Sequence, residues 1–232
     1  MSLPVAILAG GLATRLRPLT GQIPKSLIDV VGRPFIIHQL NLLQQNGLKE
    51  VVICVGYLGE QIQKEVGDGE RWALRVKYVF DGPKLLGTGG ALRRALPVLG
   101  DAFFVMYGDS YLECDYSAIE EAFRKSGRLG LMTVLKNMNQ WDKSNIVFEN
   151  ERILRYDKKN LLPEMQHIDY GLGILRAAAL KEYPSDTPFD LVKVYQDLLG
   201  RDQLAGFEVK ERFYEIGSPE GLEETRRHIL SS

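Results

Sequence analysis

A chain of 232 residues with 45% apolar content is long enough for one large α/β domain, or a domain with a subdomain, and has the composition of a globular protein. Its formal net charge of −1 provides no basic field for nucleic acid. Cys54 and Cys114 make neither a disulfide framework nor a zinc pattern, and the first ten residues lack the basic flank and apolar length of a signal peptide or membrane span, so a reduced, cytoplasmic protein is expected.

Taken in order, the chain alternates strands and helices. The apolar run at 4–9 reads as a buried strand ending on Gly10 and Gly11. Residues 34–45 open with proline, carry apolar residues at 36, 37, 40 and 43, and stop at Asn46-Gly47, which predicts a helix. The β-branched run at 51–55 predicts a strand buried on both faces. A short helix at 59–66, a strand at 74–80, a helix at 90–96 and an apolar strand at 102–107 follow. This order implies parallel strands joined by right-handed crossovers, with helices on both faces and ligands outside the carboxyl ends of the strands. Gly10-Gly11, Asp81 and Asp109 all follow strand ends, so one rim gathers them.

The second half has a different rhythm. A helix at 117–125 precedes short strands at 129–135, 145–148, 153–156 and 170–175, which predict a mixed, antiparallel extension of the sheet. Helices near 177–182 and 190–199, strands at 204–209 and 212–216, and a final helix at 219–229 with Ser218 as N-cap complete the reading. The fold class is a Rossmann-like three-layer α/β sandwich with a mostly parallel central sheet. No linker or repeat divides it, so 1–232 reads as one domain, with halves at 1–116 and 117–232.

The chemistry concentrates after the first strand. Gly10 and Gly11 let the backbone turn and let a ligand approach its N–H groups, and Arg15, Arg17 and Lys25 follow. A strand, a glycine turn and clustered cations form an anion site suited to a polyphosphate. The segment is neither a Walker loop nor a G-x-G-x-x-G fingerprint. Leu8-Ala9-Gly10-Gly11-Leu12-Ala13-Thr14-Arg15-Leu16-Arg17-Pro18-Leu19-Thr20 with Pro24-Lys25-Ser26-Leu27 resembles the L-A-G-G-x-G-T-R-L-x-P-L-T and P-K-x-L signature of the sugar-1-phosphate nucleotidyltransferases, with Ala13 in place of a glycine.

Further segments carry the same resemblance. Leu86-Gly87-Thr88-Gly89-Gly90-Ala91-Leu92 is similar to the family's P-L-G-T-A-G-A-L, which lies along the nucleobase and ribose. Gly108-Asp109 matches its G-D metal ligand, at a strand end where a carboxylate suits Mg²⁺. Tyr214-Glu215-Ile216-Gly217-Ser218-Pro219 matches W-x-D-I-G-T-P from the second metal ligand onward, with Glu215 where the family has aspartate. Asp157-Lys158 stands for the Glu-Lys of E-K-P, and the stretch around Gly171 for N-x-G-I-Y. His38, His167 and His228 have no metal-ligand spacing, though His167 is within reach of a sugar pocket.

The resemblance implies transfer of a nucleoside monophosphate from an NTP to a sugar 1-phosphate, with Arg15, Lys25 and Asp109 as catalytic residues. The nucleotide would meet Leu8, Ala9, Gly10, Gly11, Thr14, Arg15, Gly87, Thr88 and Gly89, with Gly89 and Thr88 at the base. The sugar phosphate would meet Tyr107, Ser110, Asp157, Lys158, Tyr170 and Gly171, and Mg²⁺ would sit on Asp109 and Glu215. Arg15 would hold the β- and γ-phosphates, and Lys25 would bridge the α-phosphate and the nucleophile. The expected member is a short form without a C-terminal β-helix, most similar to the D-glycero-α-D-manno-heptose 1-phosphate guanylyltransferases, with GTP as donor. A uridylyl- or cytidylyltransferase for another sugar, such as N-acetylmuramic acid 1-phosphate, and a non-catalytic nucleotide sensor are the alternatives. Neither nucleic acid nor membrane is an expected partner, and a homodimer is left open.

Overall fold

The apolar run behind Pro4 forms β1 (Val5–Ala9), the middle of a nine-stranded sheet, in a computed structural model that describes residues 2–11, 16 and 21–231. β1 pairs in parallel with β4 (Glu50–Val55) on one side and β6 (Ala102–Tyr107) on the other, and β5 (Arg75–Phe80) extends β4 in the same direction. These four strands are the predicted parallel half. They read as continuous apolar runs because both faces are covered. Ile7, Ile53 and Val55 pack against α1 (Phe35–Gln45), α2 (Gly59–Val66) and α4 (Tyr116–Ser126). Ala6, Val52 and Cys54 pack against α3 (Gly87–Leu99) and α5 (Leu191–Gly200).

Beyond β6 the sheet reverses. β11 (His167–Arg176) runs antiparallel to both β6 and β8 (Gly130–Lys136), and β12 (Leu204–Val209) pairs in parallel with β8. The hairpin of β9 (Ile146–Glu149) and β10 (Arg152–Tyr156) joins β11 at the His167–Ile146 pair. This is the predicted mixed extension. β11 is longer than the predicted 170–175 because the register shifts between Asp169 and Gly173, a bulge around Gly171 that keeps the strand going.

Other departures have local causes. A hairpin of β2 (Asp29–Val30) and β3 (Arg33–Pro34) turns through Val31 at φ 55 and Gly32 at φ 75; a β-branched residue at positive φ is not a turn signal, so the sequence conceals it. α3 starts three residues before the predicted 90 and runs past Pro97, whose fixed φ is helical but which has no N–H to donate back along the helix. The helix expected near 177–182 is a single 3-10 turn at Ala177–Ala179, too short a stretch before Pro184 to nucleate more. The strand expected at 212–216 shortens to β13 (Tyr214–Glu215), which pairs with β7 (Ser110–Tyr111).

The last helix, α6 (Pro219–Ser231), is capped as expected, with the Gly221 amide donating to Ser218 Oγ at 3.0 Å. Its Leu222 joins Ile216, Leu16, Ile28, Val30 and Phe35 in a third, smaller core. That core fixes the end of the chain to the segment that follows β1.

Candidate active site

Four parallel strands end at one rim. The turn after β1 lies against the turn after β4: a Cβ on Gly10 would stand 3.2 Å from the Gly56 nitrogen, and one on Gly56 would stand 2.7 Å from the Gly10 oxygen. Glycine is needed here for close backbone packing, beside any ligand that approaches. Thr14, Arg15 and Arg17 lie outside the described residues.

Above this rim lies a cavity of about 250 Å³. Leu8, Ala9, Gly10, Gly11, Gly87 and Thr88, all expected at the nucleotide, line it. Gly89 does not. Its amide donates to the Phe189 carbonyl at 3.0 Å, and a Cβ on it would meet the Phe189 ring at 2.3 Å. The Thr88 hydroxyl lies 3.2 Å from Asp190 Oδ1, as donor, and accepts from the Leu191 amide at 2.8 Å, so it caps the start of α5. The Gly89 amide and the Thr88 hydroxyl, both expected at the base, are engaged by the 189–191 segment in this structure.

Residues that the motif reading did not place here complete the lining. Leu85, Cys54 and Ala91 form apolar wall, and Asp81 brings a carboxylate that is only 6% exposed. Asp81 Oδ2 accepts from the Leu86 amide at 3.1 Å. Burial raises the Asp81 pKa, against the lowering effects of the Leu86 N–H and the Arg94 charge. The signal for Asp81 was its place after an apolar strand, not a motif. Burial, with Asp81 beside it, pushes the Cys54 thiol up to about 12, so it is no nucleophile at neutral pH.

A second cavity, of about 390 Å³, opens on the side of β11. Tyr107, Ser110, Lys158, Tyr170 and Gly171, all expected at the sugar phosphate, line it. Asp157, also expected there, is not part of the lining. Its carboxylate accepts from the Lys159 amide at 2.8 Å and from the Asn160 amide and side chain at 2.9 and 3.0 Å. Those Asn160 and Lys159 bonds hold its pKa down to about 2.

The acid that faces Lys158 is Asp169, from the bulged part of β11. Lys158 Nζ lies 3.0 Å from Asp169 Oδ2, which also accepts from the Tyr156 hydroxyl at 3.0 Å, while Oδ1 accepts from the Gly171 amide at 3.1 Å. The Tyr107 and Tyr156 rings flank the ammonium at 5.7 and 5.8 Å. Burial opposes the charge on Lys158, but Asp169 outweighs it and the Lys158 pKa is raised. His167 is absent from both linings and lies 3.2 Å from Glu208 Oε1, while His38 bonds the Val30 carbonyl at 2.8 Å.

Tyr107 and Asp109 line both cavities, so the two meet there. Pro24 leads into a 3-10 turn at Lys25–Leu27, which carries Lys25 to the junction, and its Nζ lies 2.7 Å from Asp109 Oδ2. The β7–β13 ladder sets Glu215 opposite Ser110, and the Ile216 amide donates to the Asp109 carbonyl at 2.9 Å. Glu215 and Asp109 thus arrive on neighbouring segments and line the same cavity. A Cβ on Gly217 would stand 3.1 Å from Glu215 Oε1, so the longer carboxylate is folded back over that glycine. Two carboxylates beside an open cavity suit Mg²⁺, which completes its shell with water and phosphate oxygens. Among the described residues no cluster of three or more His, Cys, Asp or Glu forms an all-protein metal cage. Nor is any described helix long and apolar enough to cross a membrane.

Known proteins share this arrangement of elements. The chain is 29% identical over 202 residues to a UTP–glucose-1-phosphate uridylyltransferase of Synechocystis, a match that covers 80% of this chain and 52% of that one. It therefore spans about half the length of that relative. It is 27% identical over 216 residues to the D-glycero-alpha-D-manno-heptose 1-phosphate guanylyltransferase of Campylobacter jejuni, covering 92% of this chain and 94% of the relative. Among solved structures, HddC from Yersinia pseudotuberculosis complexed with GMP-PN superposes with a TM-score of 0.81 at 25% identity, covering 98% of this chain and 99% of the other. The family described as Nucleotidyl transferase matches residues 5–231, a range that includes every strand and helix around both cavities. With the signature loop, the parallel rim and the two joined cavities inside that match, the chain belongs to the nucleotidyl transferase family.

Proposed function

We propose that this protein transfers a nucleoside monophosphate from an NTP to a sugar 1-phosphate, releasing pyrophosphate and forming an NDP-sugar. The observation that carries the reading is the junction of the two cavities at Tyr107 and Asp109, with Lys25 held there 2.7 Å from the Asp109 carboxylate. An NTP in the first cavity would bring its α-phosphate to this junction, facing a sugar phosphate in the second.

The chemistry asks little covalent work of the protein. A phosphate oxygen of the sugar 1-phosphate is already ionised at neutral pH, so it needs no general base. That oxygen forms a bond to the α-phosphorus while the bond from the α-phosphorus to the α,β-bridging oxygen breaks, and pyrophosphate leaves with the electron pair. Catalysis is then positioning and charge neutralisation. Lys25 neutralises the α-phosphate as charge moves through it, and Arg15 takes the β- and γ-phosphates. Lys158, oriented by Asp169, binds the phosphate of the acceptor. Asp109 and Glu215 would hold Mg²⁺, which supplies further neutralisation at phosphate oxygens when bound.

For the finer assignment, we read GTP and D-glycero-α-D-manno-heptose 1-phosphate as the substrates, in the cytoplasm, where nucleoside triphosphates are held. The Campylobacter guanylyltransferase and the HddC complex support this, since both align over more than nine-tenths of both chains. The test is a thermal-shift screen of the four NTPs with Mg²⁺, followed by pyrophosphate release with a panel of sugar 1-phosphates. Stabilisation by GTP and turnover with the heptose phosphate are expected. A flat response to every NTP would sink the reading.

A further inference from the structure

We infer that Gln39 is a positioning residue for the two carboxylates at the junction: its side-chain amide fixes the turn that carries Asp109 and, through β7, the spacing between Asp109 and Glu215. The inference rests on the reading of Asp109 and Glu215 as the Mg²⁺ carboxylates and adds the residue that sets their separation. Gln39 stands in α1 among Phe35, Ile36, Leu40 and Leu43, and like them it is 0% exposed. A polar group so placed is costly unless it is hydrogen-bonded. Its Nε2 donates to the Tyr107 carbonyl at 2.9 Å and to the Ser110 carbonyl at 2.8 Å. Those carbonyls bracket Gly108-Asp109, so one NH₂ group spans the turn. Only the NH₂ end of the amide can face two carbonyl oxygens, which fixes its orientation. Its Oε1 is left buried, with no donor among the described residues. For packing alone, a methionine would fill this place without an unpaired acceptor. What the amide adds is the pair of bonds across the turn.

The other supports of the turn each hold one side of it. The Gly108 amide donates to the Leu8 carbonyl at 2.9 Å, which ties the turn to β1. The Ile216 amide donates to the Asp109 carbonyl at 2.9 Å, which ties it to the segment after β13. Neither bond spans from Tyr107 to Ser110. Ser110 is the first residue of β7 and pairs with Glu215, so a fixed Ser110 carbonyl also fixes the strand opposite Glu215. Gln39 thereby sets both carboxylates from one helix, acting through the backbone. Mg²⁺ demands near-ideal octahedral geometry, so the separation of its two protein ligands bears directly on affinity. Groups that orient a metal's ligands typically control its affinity about 10–100-fold.

The test measures Mn²⁺ affinity by electron paramagnetic resonance, the Mg²⁺ dependence of the rate, and KM for the sugar phosphate, in wild type and Gln39→Met. Methionine keeps nearly the same volume and removes both donors. Mn²⁺ should bind at least about 10-fold more weakly, and the Mg²⁺ concentration for half-maximal rate should rise with it. Saturating Mg²⁺ should restore most of kcat. KM for the sugar phosphate should stay near its wild-type value, because Lys158 and Asp169 lie on other segments. A Mn²⁺ affinity within about threefold of wild type in a folded variant overturns the inference and leaves the metal reading standing. So does a loss of kcat that saturating Mg²⁺ does not relieve. A wild type that binds no Mn²⁺ overturns both. Gln39→Asn, which keeps the amide but falls one methylene short of the turn, should weaken Mn²⁺ binding in the same direction and is the variant read if Gln39→Met does not fold. Failure of both to fold overturns the inference, since the amide would then be a requirement of the core.

Discussion

Replacing Lys158 by methionine removes the cation from Asp169 while keeping most of the side-chain volume. The Asp169 side chain is 5% exposed, so its carboxylate would be left buried with, among the described residues, the Tyr156 hydroxyl and the Gly171 amide as donors at 3.0 and 3.1 Å. Breaking a buried pair from one side costs about 3–5 kcal/mol. The Lys158 side chain is 40% exposed, which places this case at the lower end, about 3 kcal/mol. For a domain of this size each kcal/mol lowers Tm by about 2–4 °C, so a fall of about 6–12 °C is expected. The double variant Lys158→Met/Asp169→Asn should recover most of it, because no buried charge remains.

The sign with pH is fixed by the same pair. The Lys158 pKa is raised, so its contribution is complete below the ordinary lysine value near pH 10 and is lost as pH rises through the folded value. Differential scanning fluorimetry at pH 7.5 therefore reads the whole effect. In kinetics, both variants should raise KM for the sugar phosphate and leave KM for the NTP near its original value. A Tm within 2 °C of wild type for Lys158→Met, or no recovery in the double variant, would show that the pair does not act as a buried ion pair.

Lys25→Ala should lower kcat by roughly 10²–10³ with a much smaller change in NTP binding, since its charge is used most as the α-phosphate reacts; a kcat within threefold of wild type would make it a bystander. Glu215→Gln should raise the Mg²⁺ concentration needed for half-maximal rate and weaken Mn²⁺ binding measured by electron paramagnetic resonance, and an unchanged titration would show Asp109 acting alone. Gly217→Ala should displace the Glu215 carboxylate, which lies 3.1 Å from the site of the new methyl, and the added effect should be smaller when Glu215→Asp is already present; equal Mn²⁺ affinity in Gly217→Ala and wild type would refute this. Asp157 has its pKa held down to about 2, so the stability it adds is present above the ordinary aspartate value near 4 and is lost as pH falls from there through about 2. The Tm gap between wild type and Asp157→Ala should therefore be constant from pH 7 to pH 5 and shrink by pH 3; a gap independent of pH would refute it.

The parallel half of the fold was legible because its strands are buried on both faces. Residues 51–55 and 102–107 announce themselves by unbroken apolar runs, and the crossover rule then orders them. The family signature singled out Lys158 and Asp109, and both line the second cavity. Asp169 was not singled out, because its pairing with Lys158 depends on a bulge in β11, a feature of register that the residue types alone do not reveal. Asp157 shows the complementary effect. It stands next to Lys158 in sequence, but a short Asx-type turn claims its carboxylate locally. Gly89 was expected to meet a base through its backbone; its amide instead donates to the carbonyl of Phe189, a hundred residues later, whose ring packs where a side chain at 89 would stand.

The small core of Leu16, Ile28, Phe35, Ile216 and Leu222 sets the order in which the protein can be completed. Domains tend to fold as units as they are synthesised, with early segments available first. The four parallel strands are complete once residue 107 has emerged, and Lys25 can find Asp109 soon after. The packing that brings Glu215 to the same cavity, and the apolar cover for Leu16, wait for the last helix. A nascent chain halted before residue 214 would present an assembled sheet with an exposed apolar seam and an unfinished junction.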